Sequence, residues 1–281
     1  AQAKYSNGIG CCVVTTGPGT TNALTGLLGA WQDSVPCIYI SGQVRSEHMS
    51  YNKPVRQVGT QEAAIVNIVK PITKYAKVIE KANEIERVLI EALKIAISGR
   101  PGPVWIDIPL ELQWQNVSQA NLNPVKKVTK VTQPAEMARC IENFTQLLLQ
   151  AECPLVVLGY GVYLASCVEA SRNFIRKHKL RAVCTWTAAG ILASNDPMNL
   201  GIIGMSGQPG ANKAMFKTDL IICLGSHLAI PHTTTLTKSY APNAKKVFVN
   251  IDEHQLNHLN IKSDLRINCD LAELFSALGG I

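Results

Sequence analysis

Between Val13 and Leu24 an apolar, β-branched run breaks at Gly17-Pro18-Gly19 and passes into Thr20, Thr21 and Asn22. A strand that ends in such a corner and feeds a helix aims the first unpaired N–H groups out of the turn, with the Asn22 amide beside them. Gly17 and Gly19 let another group approach the main chain, and Pro18 stiffens the bend. The chemistry on offer is the docking of a small molecule; an ordinary tight turn is the competing use of the same pattern. No Gly-Lys-Ser/Thr follows, so a P-loop is excluded. Gly159-Tyr160-Gly161 after a strand has the first two glycines of a dinucleotide turn, but Leu164 stands where G-x-G-x-x-G needs its third, and a lone G-x-G is weak evidence. His254 and His258 have the i, i+4 spacing that metal ligands use, yet no third ligand accompanies them, and a solvated helix face is the simpler reading. His227 and His232 fall in a loop after a strand, where cofactor contact and polar-loop duty both fit. Asp252-Glu253 follows another strand, where a ribose-binding carboxylate and a helix-start charge fit equally. The few Met and Trp residues read as core.

These groups need a scaffold, and the hydrophobic pattern supplies one. Strands are expected over residues 9–16, 37–41 and 103–108, with helices over 20–31, from 60 to 68, and after an Asn83-x-x-Glu86 cap. Residues 113–133 lack periodicity and read as a connector, after which Pro134 suits the first turn of a helix to about 150. Strands at 155–158, 182–186, 220–224, 247–251 and around 267 then alternate with helices at 166–178, 211–216 and from 271. The fold class is α/β, with two doubly wound, mainly parallel sheets. Gln43, at the end of its strand, occupies the edge where open parallel sheets collect ligands.

Composition agrees. The 281 residues are 47% hydrophobic and 17% charged, which excludes a disordered chain. The net charge of +7 is dispersed, and its densest cluster, Lys126-Lys127-x-x-Lys130, lies in the connector, so nucleic acid is not an expected partner. Apolar runs are too short for a membrane span, and no segment looks like a signal peptide. Nine cysteines, an odd number with no C-x-x-C, point to a reducing compartment, the cytoplasm or an organelle matrix. Residues 1–8 read as a helix tail with a glycine stop, so the chain is expected to begin inside a domain.

Four blocks in order follow or border the corner: Gly26-Leu27-Leu28-Gly29-Ala30-Trp31-Gln32-Asp33-Ser34-Val35-Pro36, Ile38-Tyr39-Ile40-Ser41-Gly42-Gln43-Val44, Lys70-Pro71-Ile72-Thr73-Lys74, and Ser98-Gly99-Arg100-Pro101-Gly102-Pro103-Val104-Trp105-Ile106-Asp107-Ile108-Pro109. Together they resemble the pyrimidine-binding domain of thiamine-diphosphate enzymes of the acetolactate synthase type, and the remainder resembles that family's central domain. The resemblance implies a partial pyrimidine-binding domain over 1–115, a linker over 116–133 and a Rossmann-like central domain over 134–281. It places Gly17, Pro18, Gly19, Asn22, Gln43 and Gln61 around the pyrimidine ring and substrate. It sets Arg100, Gly159, Gly161, Gly204, Met205, Gly207, Asn212, Gly225, Asp252 and Asp270 at or near segments that approach FAD.

By the same resemblance the reaction is decarboxylation of a 2-oxo acid on thiamine diphosphate, followed by addition to a second carbonyl, with the cofactor as electron sink. The activating glutamate is expected upstream of Ala1, and the Mg²⁺ and diphosphate site in a third domain, so no catalytic residue and no metal ligand is expected in this chain. A homodimer or tetramer is implied. Departures bear on the ligands. The family's Gly-x-Arg-Phe-Asp-Asp is here Gly225-Ser226-His227-Leu228-Ala229-Ile230, and Gly-Met-His-Gly is Gly204-Met205-Ser206-Gly207. Thr60 replaces an aromatic before Gln61-Glu62, and Leu110-Glu111 replaces Lys-Asp. FAD, another nucleotide or a purely structural site therefore remain open for the central domain. A decarboxylase of another 2-oxo acid, including acyl-CoA types, and a noncatalytic nucleotide-binding module are the alternatives.

Overall fold

A computed structural model describes residues 1–6, 8–51, 53–117, 132–233 and 239–279. The chain divides into two compact units, Ala1–Thr129 and Lys130–Ile281. Residues 118–131, which hold most of the expected connector and its lysine cluster, lie outside the described residues.

The first unit is a sheet of four parallel strands, β1 (Gly10–Val14), β2 (Cys37–Gln43), β3 (Tyr75–Val78) and β4 (Val104–Pro109), in the order β1-β2-β4-β3. Side chains alternate across it. Ile38, Val104 and Ile106 pack on Val88, Ala92 and Ala96 of helix Ile85–Ile97. Tyr39 and Trp105 point the other way, stacked with centroids 5.1 Å apart, onto Leu27, Ile65 and Val69. Burial on both faces is why these strands read as continuous apolar runs.

The second unit has six parallel strands: β5 (Pro154–Leu158), β6 (Arg181–Cys184), β7 (Asn199–Ile202), β8 (Leu220–Leu224), β9 (Lys245–Val249) and β10 (Leu265–Ile267). Their order, β10-β9-β8-β5-β6-β7, reverses direction between β5 and β8, so the unit is doubly wound with its switch point there. Helices Pro134–Gln150, Val168–Lys177 and Leu271–Leu278 cover one face, and Pro209–Lys217 and Glu253–Asn257 the other.

Several local expectations are corrected. The helix expected over 20–31 is two, Pro18–Asn22 and Leu24–Gln32, stepping at Ala23. The helix expected to open at Thr60 opens at Ile65, because Gln61 has a φ of 58°, which a right-handed helix excludes. Asn83 caps nothing: it sits within a 3₁₀ turn, Ala82–Glu84, and Glu84 takes the cap position. The strand expected over 182–186 stops at Cys184, and the helix expected over 166–178 begins at Val168. The two edge strands β3 and β7 carry no sequence signal, since all eight of their residues are half-buried. Trp105 is core, but Trp114, Trp186 and Met205 are exposed. All nine cysteines are free thiols. Among the described residues no helix is long and apolar enough to cross a membrane.

Candidate functional site

The corner after β1 is built by two loops pressed back to back. Gly17 has a φ of 60°, and a β-carbon there would run into the Gln61 carbonyl group. Only glycine permits both that angle and that approach. Gln61 itself takes a positive φ, which strains a residue with a side chain, and it faces Gly17 where the loops after β1 and β2 meet. Pro18 then sits in the first turn of its helix, where its missing N–H costs nothing, and the Thr20 hydroxyl donates to Gly17 O at 2.7 Å. Pro18, Asn22 and Gln61 are exposed, and Gly19 is half-buried. The corner is therefore open to solvent, as a docking edge must be.

Gln43 is placed differently from the expectation. It lies beneath the corner, buried, rather than at its surface. Its Oε1 accepts from the Thr16 hydroxyl at 2.8 Å and from Val44 N at 2.9 Å, and its Nε2 donates to Ala63 O at 2.8 Å and to Asp107 Oδ2 at 3.0 Å. The side chain thus ties the end of β1, through Thr16, to the segment that carries Gln61. Asp107, wholly buried on β4, also accepts from the Ser41 hydroxyl at 2.5 Å, and that hydroxyl accepts from Trp105 Nε1 at 2.8 Å. Burial pushes the Asp107 carboxyl up to about 6, against the lowering effect of these bonds. The Tyr51 hydroxyl faces the same carboxyl and the Gln43 amide, but makes a hydrogen bond of good geometry to neither; burial first, and the Asp107 charge second, push its phenol well above the ordinary value. Burial also works to raise Glu62, yet hydrogen bonds from Ser50, Val58 and Gly59 outweigh it and hold that carboxyl below the ordinary range. The only sequence signal for this network was a single acid inside an otherwise apolar strand.

In the second unit the expected glycines gather at the carboxyl edge of the sheet. Gly159 and Gly161 follow β5, and Gly225, with a φ of 62°, follows β8. A β-carbon on Gly159 would fall 2.6 Å from the Gly225 carbonyl carbon, and one on Gly161 would fall 2.7 Å from Gly225 Cα. Gly161 N donates to Gly225 O at 2.9 Å. These glycines serve first to let the two turns meet across the switch point. From there residues 225–233 run over the ends of β5 and β6 towards β7: the His232 ring meets Trp186 edge-on with centroids 5.1 Å apart, and Met205 N donates to Pro231 O at 2.8 Å. Gly204 has a φ of 106° and packs on Pro231 and His232, and Gly207 closes the turn by donating to Gly204 O at 2.9 Å. Asn212 brackets that turn with both ends of its amide, accepting from Gly204 N at 2.9 Å and donating to Gly204 O at 3.0 Å.

The remaining expected residues have these partners. Asp252 caps helix Glu253–Asn257, accepting from Gln255 N at 3.1 Å, and Asp270 caps helix Leu271–Leu278, accepting from Ala272 N at 2.9 Å. Arg100 lies before β4, at the amino edge of the first sheet, where its Nε donates to Ser34 Oγ at 2.8 Å. His258 Nδ1 lies 2.8 Å from His254 O, and among the described residues no three His, Cys, Asp or Glu side chains group as a metal site.

The chain that forms a parallel sheet ending in an open glycine–proline corner, and a doubly wound unit with glycine turns at its switch point, matches known sequences. Residues 1–68 match the thiamine pyrophosphate enzyme N-terminal TPP binding domain, and residues 141–278 match the thiamine pyrophosphate enzyme central domain. The chain belongs to the thiamine pyrophosphate enzyme family. Within it the chain is similar to acetolactate synthase isozyme 2 large subunit of Escherichia coli, at 33% identity over 279 residues, covering 98% of this chain and 48% of that protein. Similar too are the acetolactate synthase large subunit of Lactococcus lactis, at 34% identity over 98% of this chain and 47% of that one, and acetolactate synthase 1 of Zea mays, at 32% over 94% and 41%. The chain spans about half the length of the curated relatives it matches.

Proposed function

We propose that this chain provides the pyrimidine-facing corner and the central domain of a thiamine-diphosphate-dependent carboligase or decarboxylase acting on 2-oxo acids, in the manner of acetolactate synthase. The observation that carries this is the Gly17–Gln61 contact: two loops distant in sequence are locked together in strained geometry, yet their outer groups remain exposed. Thiamine diphosphate, when bound, supplies the electron sink for decarboxylation. The chain's own residues do the positioning. Pro18 and Gly19 set the helix start, Asn22 and Gln61 offer amides at the open edge, and Gln43 holds both loops from below through Thr16 and Ala63. Buried Asp107 fixes the Gln43 amide in turn.

Mg²⁺, the diphosphate and the acid that activates the pyrimidine are assigned to parts of a longer protein, working as a homodimer or tetramer in the cytoplasm. The 281-residue chain by itself then gives no turnover. FAD or a related nucleotide is assigned to the carboxyl edge of the second unit, with Gly159, Gly161, Gly204, Met205 and Gly225 nearest to it. Thr60 and Leu110, both exposed, stand where the family has an aromatic and a lysine, and they favour a 2-oxo acid or acceptor other than that of acetolactate synthase. The test assays the complete open reading frame and the isolated chain with thiamine diphosphate, Mg²⁺ and a panel of 2-oxo acids. Cofactor-dependent consumption is expected for the former only. Turnover by the isolated chain refutes its dependence on other parts, and a complete frame that consumes no 2-oxo acid refutes the enzymatic reading.

A further inference from the structure

Among the described residues, the buried side-chain polar atoms without a hydrogen-bond partner are the Tyr51 hydroxyl and the two ring nitrogens of His232. The Tyr51 hydroxyl lies beneath the Gly17 corner, facing the Asp107 carboxyl and the Gln43 amide. A phenyl ring would fill the same space without burying an unpaired hydroxyl, so the oxygen works against stability where it stands. A bond is nonetheless within its reach. Asp107 Oδ1 accepts from Ser41 and Oδ2 from Gln43, and each carboxylate oxygen has room for a second donor.

Tyr51 sits on the loop that carries Gln61, and that loop is clasped into one piece. Gly59 N donates to His48 O at 2.8 Å, and a β-carbon on Gly59 would fall 2.9 Å from Val44 Cγ2, so the two arms are pressed together. Glu62 holds both arms, accepting from Ser50 N on one and from Val58 N at 3.0 Å and Gly59 N at 3.3 Å on the other. The Ser46 hydroxyl fastens the base to the end of β4, donating to Glu111 Oε1 at 2.5 Å. Gln61 is the neighbour of Glu62 and Tyr51 the neighbour of Ser50, so one carboxylate joins them. A group that shifts Gln61 shifts Tyr51 with it.

We propose that Tyr51 is a positioning residue: when thiamine diphosphate occupies the corner against Gln61, the clasped loop settles and the Tyr51 hydroxyl donates to Asp107, a bond the free protein lacks. This rests on the thiamine-diphosphate reading of the corner and adds the residue through which occupancy is felt below it. A hydrogen bond made only in the occupied state adds to the affinity of whatever fills the corner. A hydroxyl donating to a carboxylate accounts for about a tenfold effect. The same bond steadies Asp107, which fixes the Gln43 amide and, through Thr16, the end of β1.

The test uses the protein of the complete open reading frame as wild type, Tyr51→Phe, Asp107→Asn and the double variant, with thiamine diphosphate and Mg²⁺ as the probe. Without cofactor, Tyr51→Phe is expected to keep the wild-type urea midpoint. Its binding of thiamine diphosphate, read by calorimetry, is expected to weaken by about 10-fold. Cofactor is expected to slow tryptic cleavage after the exposed Arg56 in wild type and to slow it less in Tyr51→Phe. In the Asp107→Asn background, Tyr51→Phe should cost little further affinity, because the acceptor is already gone. If Tyr51→Phe binds the cofactor as wild type does, or the two substitutions weaken binding independently, the bond is refuted and the reading of the corner survives. If Tyr51→Phe lowers the midpoint or fails to fold without cofactor, the hydroxyl is already bonded in the free protein, and the role is refuted as well. If the wild-type protein binds no thiamine diphosphate, the reading of the corner fails and the role of Tyr51 falls with it.

Discussion

Replacing Asp107 by Asn tests the network beneath the Gly17 corner. All of the hydrogen-bond partners of this carboxyl are neutral, and it is fully buried, so ionising it in the folded state is unfavourable. Its value of about 6 lies above the ordinary 3.8 because of burial. The folded protein therefore binds a proton more tightly than the unfolded chain. The stability linked to that proton is fully present below pH 3.8 and is lost as pH rises towards 6; a shift of that size corresponds to about 3 kcal/mol. Asp107→Asn removes the titration, but it also removes one of two acceptors, leaving Ser41 or Gln43 with a buried unpaired donor at a cost of about 1–3 kcal/mol. At pH 4.5 the variant should be less stable than wild type by that amount. At pH 7.5, where wild type carries the buried charge, the deficit should close or reverse. Urea unfolding at 25 °C, followed by tryptophan fluorescence to which Trp105 of the same network contributes, measures both arms. A deficit equal at the two pH values would show that the carboxyl does not titrate in this window, and would refute the account of its burial.

Three further outcomes follow from the same geometry. Gly17→Ala should destabilise the first unit by about 3 kcal/mol, from the positive φ and the collision with the Gln61 carbonyl, and an unchanged urea midpoint would count against the corner as described. Asn212→Ala deletes both hydrogen bonds to the Gly204 peptide; a loss of about 1–2 kcal/mol and faster proteolytic cleavage within residues 204–207 are expected, read by thermal melting and a timed protease digest. Tyr51→Phe removes a buried hydroxyl that lacks a partner, so stability should change by less than about 0.5 kcal/mol or rise slightly, whereas a loss above about 1 kcal/mol would mean that the hydroxyl bonds Asp107 after all.

The sequence by itself determined the parallel α/β character, because strands buried on both faces must be apolar throughout, as Leu220–Leu224 is from end to end. It also marked the Gly17 corner and the glycine turns, since glycine is the residue that tolerates the angles and close approaches found at Gly17, Gly204 and Gly225. The edge strands β3 and β7 were invisible: half-buried on every residue, they show neither alternation nor a continuous apolar run. Tertiary structure alone decided the fate of the polar groups. A carboxylate at a strand end can hold a ribose or cap a helix with the same atoms, and only the position of the next backbone N–H made Asp252 and Asp270 caps. Gln43 turned inward because Thr16, Ala63 and Asp107, up to 64 residues away, converge on its amide. Trp186, Met205 and Ile230 came to share one edge because the strand order reverses between β5 and β8, and residues 225–233 bridge the gap. A linear pattern records what each residue prefers, but which distant residue it meets depends on the order of the strands.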